Sequence, residues 1–266
     1  MGGMTAMLWS LCAIPPLQGE TIGSIQFEES YAGPHRLEFT DLLAQAKMAV
    51  PGAVAFITDQ WGLPNTLHYP FLVTITDVPS KDQARPMAAY VRAVTYGNEL
   101  RQVMVIDLSH HLLYPNENLE SVIYHEMAHA VIRDAVVGTG ATPIPTWFNE
   151  GLAQSVTTEG TQRTQEDFKR YGHSDARAVL CDLNGKVDEF LHGEQNFGCY
   201  TYFYLSTRRL IQLGGKEAIP KIISGLHDGV PLPNIIHQLT TLDWPAFQRE
   251  AERYTLDVFA GNQPIP

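Results

Sequence analysis

Two histidines four residues apart are the residues of this chain whose spacing most clearly indicates chemistry. They are His125 and His129 in the stretch 121–134, "SVIYHEMAHAVIRD", where Glu126 directly follows the first of them. On a helix, side chains four positions apart lie on one face about one turn apart, so both imidazoles could bind one ion. Zinc suits two neutral imidazoles plus a carboxylate, with the fourth position left to water. Glu126 would lie beside that ion, where its carboxylate could take a proton from the water.

A second stretch supplies the third ligand. The Gly- and Pro-rich segment "VVGTGATPIP" follows the histidines, and residues 146–154, "TWFNEGLAQ", then have a helical pattern. Glu150 has apolar neighbours in this stretch, and an unpaired carboxylate there would be costly to bury. Binding to the same metal removes that cost. The sequence therefore predicts one zinc ion per chain, bound by His125, His129 and Glu150.

The pair of motifs "HEMAH" and "WFNEGLA" resembles the gluzincin zinc metallopeptidases, and in particular the peptidase MA-like group of bacterial proteins. The resemblance implies that the two histidines and Glu150 bind zinc and that Glu126 is the general base. The asparagine before the third ligand is also typical of the family, and here it is Asn149. Its amide, or that of Gln154 one turn later, could orient a ligand imidazole. The alternative for both amides is a place on the helix surface.

The resemblance extends toward the C-terminus. The stretch 199–215, "CYTYFYLSTRRLIQLGG", resembles the downstream helix of the family, and 242–254, "LDWPAFQREAERY", resembles its last helix. In gluzincins a tyrosine of the downstream helix often faces the metal and donates a hydrogen bond to the oxyanion. Tyr200 and Tyr204 share a helix face and are the two candidates for this role, while Tyr202 points elsewhere. Aromatic core packing is the alternative for each tyrosine.

What the resemblance implies is zinc-dependent hydrolysis of peptide bonds, with a peptide or protein as substrate. An endopeptidase is the leading interpretation. An aminopeptidase of the same clan needs an acidic group for the substrate's free amine, for which Glu99 in "YGNEL" is the upstream candidate. The third hypothesis is a zinc-binding adaptor without catalysis, although such a site has no need of Glu126. The strand "QVMVID", 102–107, resembles the edge strand along which such enzymes bind their substrate.

The elements that must position these residues follow from hydrophobic periodicity and turn residues. The stretch "FTDLLAQAKMAV", 39–50, has helical spacing and is predicted to end at Pro51. Strands are predicted at 53–58, 70–77, 89–95 and 102–107, with a turn at Gly97-Asn98. Helices are predicted at 117–135, 146–157, 200–213, 216–225 and 244–259.

These elements predict an α+β fold in which a small N-terminal mixed sheet packs on the helix of the "HEMAH" motif and a mostly helical part follows. We expect one zincin-like domain over 21–266, sheet-rich at 39–110 and helical at 116–260. Residues 1–20 begin with a charge-free apolar stretch, "MGGMTAMLWSLCAIPPL", and are interpreted as a signal or a disordered segment.

Composition narrows the partners. The chain has 266 residues with 29 acidic and 18 basic side chains, a formal net charge of -11, and no Lys/Arg run, so nucleic acid is a poor partner. No internal segment approaches the roughly 20 apolar residues of a membrane helix, so we expect no span in the mature chain. Without the first segment, Cys181 and Cys199 remain as an even pair. A disulfide between them in an extracytoplasmic protein is one hypothesis, and two buried thiols in a cytoplasmic enzyme are the other.

Overall fold

The computed structural model of the chain describes residues 21–22, 24–77, 87–96, 99–137, 141–172, 175–184 and 197–266. The predicted signal or disordered segment at 1–20 and the predicted turn at Gly97-Asn98 lie outside these ranges. The described part is an α+β fold, in which a small mixed sheet is followed by a mostly helical part, as the sequence predicts.

The sheet has five strands in the described part. They are β1 (Thr21–Ile22), β2 (Ile25–Phe27), β3 (Phe71–Thr76), β4 (Ala89–Tyr96) and β5 (Glu99–Asp107). Their order across the sheet is β1-β2-β3-β5-β4. The β2–β3 and β3–β5 pairs are parallel, whereas β1–β2 and β4–β5 are antiparallel. The sheet is therefore mixed, and three of the predicted strands belong to it.

The helices form most of the remainder. They are α1 (Arg36–Trp61), α2 (Leu108–Leu113), α3 (Leu119–Val136), α4 (Thr146–Ser155), α5 (Glu159–Tyr171), α6 (Phe197–Gly214), α7 (Ala218–His227), α8 (Leu232–Thr240) and α9 (Trp244–Phe259), with a 3₁₀ turn at Ala176–Val179. Five of these confirm predicted helices, whereas α2, α5 and α8 were not predicted. Within the described ranges, none of the helices is both long and apolar enough to cross a membrane.

Helix α1 corrects the sequence prediction in two ways. The helix continues through Pro51 instead of ending there, and the predicted strand 53–58 is its second half. A proline removes one backbone hydrogen bond from a helix. This loss is offset because the following turns bury Ile57 and Trp61, and because the ring of Phe56 contacts that of Tyr124 on α3 at 5.5 Å between centroids. Burial against α3 thus overrides the β propensity of this β-branched run.

Strand β5 corrects the expectation about the edge of the sheet. It contains the "QVMVID" stretch, but it lies between β3 and β4, with Gln102 opposite both Phe71 and Ala93. In the described part the two edge strands are β1 and β4. Residues 102–107 of β5 are all buried, and this accounts for the hydrophobic run, since strands with both faces covered are nearly continuously apolar.

Helix α3 is fixed against the sheet and the preceding loop along its length. Its N-cap residue Asn118 accepts a hydrogen bond from the Ser121 N–H at 3.3 Å. Near the middle, Gln102 on β5 donates from Nε2 to the Ala130 carbonyl oxygen at 3.1 Å. In the last turn, the buried Asp134 carboxylate accepts a backbone N–H from the loop that precedes β3. The helix that carries both histidines is therefore held at both ends and at its centre.

Helices α4 and α6 cross very closely, and Gly151 makes this possible. A Cβ atom at this position would collide with the Thr207 hydroxyl and with the Phe203 carbonyl oxygen of α6. The glycine follows Glu150 directly, so the close crossing sets the position of that carboxylate. The start of α6 is also joined to the loop after the 3₁₀ turn by a Cys181–Cys199 disulfide, with the Cα atoms 5.5 Å apart. This confirms the predicted bridge.

Candidate metal centre

Three side chains converge between α3 and α4. The Nε2 atoms of His125 and His129 lie 3.2 Å apart, and each is 3.6 Å from an oxygen of Glu150. The ligand atoms of this group all lie within 4.8 Å of one another, and within the described ranges these three residues are the group that could hold a metal ion. The structure thus brings together the three residues that the sequence predicts as ligands.

The orientation of His125 is set by a residue of a different helix. Glu159, the first residue of α5, places Oε2 2.8 Å from Nδ1 of His125. Because a carboxylate only accepts hydrogen bonds, Nδ1 carries the hydrogen and Nε2 is free to bind a metal. Arg163, one turn later on α5, donates from Nε to the other Glu159 oxygen at 2.8 Å. The carboxylate is thereby held on both sides.

Glu126 lies beside the three converging residues and is held by the edge strand. Its Oε2 accepts the backbone N–H of Val91 on β4 at 3.0 Å, which leaves Oε1 without a described partner. Burial raises the pKa of the Glu126 carboxyl, and the two histidines oppose this rise. A buried carboxylate with a raised pKa and one free oxygen has the properties of a general base.

The metal-free cluster is strongly coupled electrostatically. Burial alone would lower the pKa of His125, but the Glu150 and Glu159 carboxylates outweigh burial and hold this pKa well above 6.5. Burial also acts to raise the pKa values of both carboxyl groups, but the contacts with the histidines and Arg163 lower them, that of Glu159 to about 2. The carboxylates are therefore charged, and without a metal they hold a proton on His125.

The structure separates the two candidate tyrosines. Burial, together with the charge of Glu150, raises the pKa of Tyr200 to about 12, so its hydroxyl is protonated and lies within the field of the cluster. The guanidinium of Arg163 covers its ring at 5.3 Å. Tyr204, in contrast, hydrogen bonds through its hydroxyl to Thr161 at 3.2 Å and to the Pro266 carbonyl oxygen at 3.0 Å. The structure thus places Tyr200 against Arg163 and Gln154, whereas Tyr204 lies in a separate apolar cluster.

The two candidate amides differ in exposure, because Asn149 is partly exposed and Gln154 is not. Gln154 is fully buried and donates from Nε2 to the carbonyl oxygens of Glu150 at 3.3 Å and Tyr200 at 3.2 Å. It therefore joins the two backbones that carry these side chains, without contacting a ligand imidazole. Asn149 Oδ1 and His129 Nδ1 are both buried without a hydrogen-bond partner. One is an acceptor and the other carries a hydrogen when Nε2 is the ligand, so their needs are complementary.

Glu159 is the residue that sequence reasoning missed. It lies nine positions after Glu150 in "TTEGTQRTQ", a polar stretch for which no helix was predicted. Its spacing from Arg163 is that of an ordinary surface ion pair on a helix. The one available signal is Gly160, where a Cβ atom would collide with the Tyr204 ring, so that α5 can pack closely on α6.

In comparisons with protein-family models, with curated proteins and with solved structures, the chain matches none. Functional inference therefore rests on the geometry of the metal centre.

Proposed function

We propose that the protein is a zinc-dependent endopeptidase in which Glu126 is the general base. The observation that carries the proposal is the convergence of His125, His129 and Glu150, with the Glu126 carboxylate fixed beside them. A metal site that only stabilises the fold is typically closed by four protein ligands. Here three protein ligands converge with a carboxylate next to them, which is the composition of a hydrolytic site.

Zinc is the metal that this donor set favours. Two imidazole nitrogens and one carboxylate are typical of catalytic zinc, whereas magnesium and calcium prefer oxygen ligands alone. Zinc–nitrogen bonds of about 2.05 Å at a tetrahedral angle separate two ligand atoms by about 3.3 Å. The separations of 3.2 Å between the histidines and 3.6 Å from each histidine to Glu150 are close to this value.

The residues around the ligands have separate tasks in this reaction. A bound zinc ion would supply the Lewis acidity that lowers the pKa of a water molecule and polarises the peptide carbonyl. Glu126 takes the proton of the attacking water at its free oxygen and delivers it to the leaving amine. Tyr200 remains protonated because its pKa is about 12, so its hydroxyl donates a hydrogen bond to the developing oxyanion. Glu159 keeps His125 in the tautomer that exposes Nε2.

The substrate binds as an added strand along β4. This strand is one edge of the sheet in the described part, and the Val91 N–H points away from β5 toward Glu126. Backbone groups alternate in direction along a strand, so Ala93 and Thr95 also present their N–H and C=O groups at the free edge. Both residues are exposed. Main-chain pairing of this kind recognises a peptide in extended form and leaves the side chains to provide specificity.

An aminopeptidase is the alternative within the same clan, and Glu99 was its candidate amine-binding group. Its carboxylate accepts hydrogen bonds from Nε and Nη2 of Arg101 at 2.9 and 2.6 Å. Its side chain is 52% exposed, at the hairpin end of the sheet. A carboxylate that is already paired offers little to a substrate amine, so we favour the endopeptidase. A zinc-binding adaptor without catalysis does not require a carboxylate positioned beside the ligands, as Glu126 is by its hydrogen bond with Val91.

An extracytoplasmic location is part of the proposal, and its support is independent of the metal centre. The charge-free start of the chain resembles the apolar part of a secretory signal, and disulfides such as Cys181–Cys199 persist in oxidising compartments. Fractionation of cells that produce the full chain tests this location. We expect the protein outside the cytoplasm with no free thiol at Cys181 or Cys199. Recovery in the cytoplasm with both thiols free would contradict it.

The experiment that tests catalysis compares Glu126→Gln with the unaltered protein on amino- and carboxyl-blocked peptides. The amide has nearly the same shape but cannot act as a base, so we expect turnover to fall by roughly 10²–10⁴-fold while zinc content and fold persist. Glu120→Gln is the matched control, because Glu120 is an exposed residue of the same helix. Undiminished cleavage by Glu126→Gln would exclude the assigned role, and cleavage of free-amine peptides alone would favour the aminopeptidase.

Metal analysis tests the ligands separately from catalysis. We expect one zinc ion per chain in the purified protein and none in the double variant His125→Ala/His129→Ala. The control is His227→Ala/His237→Ala, which removes two exposed histidines from α7 and α8. Equal zinc content in the ligand variant and the control would show that the metal binds elsewhere.

A further inference from the structure

Arg133, in the last turn of α3, is a cation without an evident structural partner. Its Nη1 atom is buried and makes no hydrogen bond. In the described part of the chain the rest of the guanidinium also has no hydrogen bond or ion pair, and the residue as a whole is half-buried. A buried guanidinium nitrogen without a hydrogen bond is unfavourable, because removing a charged group from water is costly unless it is paired.

The position of Arg133 at the end of a helix does not account for this burial. A cation in the last turn interacts favourably with the helix dipole, but an exposed side chain obtains the same benefit while remaining hydrated. Burial lowers the pKa of the guanidinium, and the group that opposes this effect is Glu126. The carboxylate that acts on Arg133 is therefore Glu126, which lies beside the predicted metal ligands.

Helix geometry places Arg133 on the same face as the general base. Seven residues separate it from Glu126, which is 700° of rotation, so the two side chains leave α3 within about 20° of each other. The axial distance between them is about 10.5 Å. Long side chains on a helix lean toward its N-terminus, so the guanidinium is directed back toward the metal centre.

Helix α3 crosses the sheet from β4 toward β3 while it advances in the direction in which β4 runs. Glu126 accepts a hydrogen bond from Val91. One turn later the Ala130 carbonyl oxygen contacts Gln102, which pairs with Ala93 of β4. The helix and β4 therefore advance in the same direction. An extended peptide rises about 3.3 Å per residue. The axial distance of about 10.5 Å from Glu126 to Arg133 therefore corresponds to about three residues of a bound peptide.

We propose that Arg133 is an anion subsite of the cleft, which binds a carboxylate of the peptide substrate about three residues from the scissile bond. The Nε–Nη2 edge of a guanidinium binds a carboxylate through two parallel hydrogen bonds, and in Arg133 this edge has no partner in the described structure. This inference rests on the proposed peptidase function and adds a substrate class, namely peptides with an acidic group at one fixed position. The carboxylate is supplied by an Asp or Glu side chain or by the C-terminus of the peptide.

The test is a set of blocked peptides of one sequence in which Glu, Gln or Lys is placed at each of the four positions on either side of the cleaved bond. A second set with a free C-terminus and Gln at every varied position distinguishes the terminal carboxylate from a side chain. We expect the unaltered protein to favour Glu over Gln about 10- to 100-fold in kcat/KM at one position, as a charge-assisted hydrogen bond contributes. If the terminus is the source, the preference appears for the free-acid peptide whose chain ends there.

Variants assign the preference to Arg133. Arg133→Met keeps the length of the side chain but removes the charge, so the Glu/Gln ratio is expected to fall to about one. Arg133→Glu should make Lys the preferred residue at the same position. The ratio compares two peptides on one variant, so a general loss of activity does not alter it. If Arg133→Met or Arg133→Glu disturbs the fold, Arg133→Lys serves as a milder variant, which should retain part of the preference. Arg36→Met removes a positive charge from the exposed first residue of α1 and serves as the control.

The outcomes separate the subsite from the peptidase function. Cleavage with no acidic preference, or with the same preference in Arg133→Met, overturns the subsite and leaves the peptidase intact. If neither peptide set is cleaved by the zinc-loaded protein, the peptidase function itself has failed and the subsite falls with it.

Discussion

Glu159 and His125 lie 34 residues apart in the chain, and a carboxylate oxygen of the first is 2.8 Å from Nδ1 of the second. Arg163 binds the other oxygen of the same carboxylate. These contacts form a chain from α5 to a ligand of the candidate metal centre. Because Nδ1 must carry a hydrogen to make its contact, the lone pair of the neutral ring is at Nε2, where the other two ligands converge.

The first prediction concerns this contact. Glu159→Ala removes the acceptor of the His125 hydrogen, and we expect zinc affinity to fall about 10- to 100-fold, as for other partners of metal-bound histidines. Glu159→Gln keeps an acceptor oxygen and should lose less. Competition with a chelating dye measures the affinity. The control is Glu166→Gln on the exposed side of α5, and equal affinities for all four proteins would contradict the role of Glu159.

The ligands could be predicted from the sequence because their spacing is local. His125 and His129 are one helical turn apart, and Glu150 stands in a second helix with its own apolar face. Glu159 could not be found in this way. Its role depends on how closely α5 approaches α6, which is decided by Gly160 against the Tyr204 ring. Contacts between distant elements leave no periodicity in a single sequence.

The same distinction explains which parts of the fold were predicted. Helix α9 has the predicted bounds, and its N-cap residue Asp243 accepts the Ala246 N–H at 2.8 Å, so the start of this helix is determined locally. Helix α1 was divided because Pro51 and the run 53–58 have local preferences that its packing against α3 overrides. The order of the strands was also beyond local patterns. Strand β5 is interior and β4 is at the edge, although β4 comes earlier in the chain.

A second prediction separates the two tyrosines. Tyr200→Phe removes a hydroxyl within the field of the cluster, and we expect kcat to fall about 10²-fold or more with little change in zinc content. Tyr204→Phe removes the hydrogen bonds to Thr161 and Pro266 instead, so it should cost about 1 kcal/mol of stability and leave kcat nearly unchanged. Steady-state kinetics and thermal unfolding of both variants check this. Equal loss of kcat in the two variants would contradict the assignment.

A third prediction concerns the helix crossing beside the metal centre. Gly151→Ala places a methyl group against the Thr207 hydroxyl and the Phe203 carbonyl oxygen, so α4 and α6 must move apart. Overpacking of this kind typically costs about 1–3 kcal/mol, and here it also displaces Glu150 from the histidines. We expect a lower unfolding midpoint together with weaker zinc binding. Gly172→Ala is a less informative comparison because Gly172 has a positive φ of 58°.

Ser155→Ala is not suitable as a control either, since the Ser155 hydroxyl donates a hydrogen bond to the Leu152 carbonyl oxygen at 2.7 Å. Gln165→Ala on the exposed face of α5 is preferable, because it changes a helical side chain without touching the crossing. Gly151→Ala with the zinc affinity and stability of this control would show that the crossing does not position Glu150.

The last prediction is that zinc binding displaces a proton. In the metal-free protein the Glu150 and Glu159 carboxylates hold the pKa of His125 well above 6.5, so this ring is protonated at neutral pH. Zinc requires the neutral ring, so its apparent affinity should fall as the pH decreases, by up to about tenfold per pH unit for one displaced proton.

The raised pKa of His125 also stabilises the metal-free fold. This contribution is fully present below the unfolded value of about 6.5 and is lost as the pH rises through the folded pKa. The metal-free protein therefore loses stability over the range in which zinc binds more tightly, and the rise in Tm on adding chelator-buffered zinc should be larger at pH 8 than at pH 6. The double variant His125→Ala/His129→Ala should show no zinc-dependent rise at either pH, and a rise of equal size at both pH values in the unaltered protein would exclude the coupling.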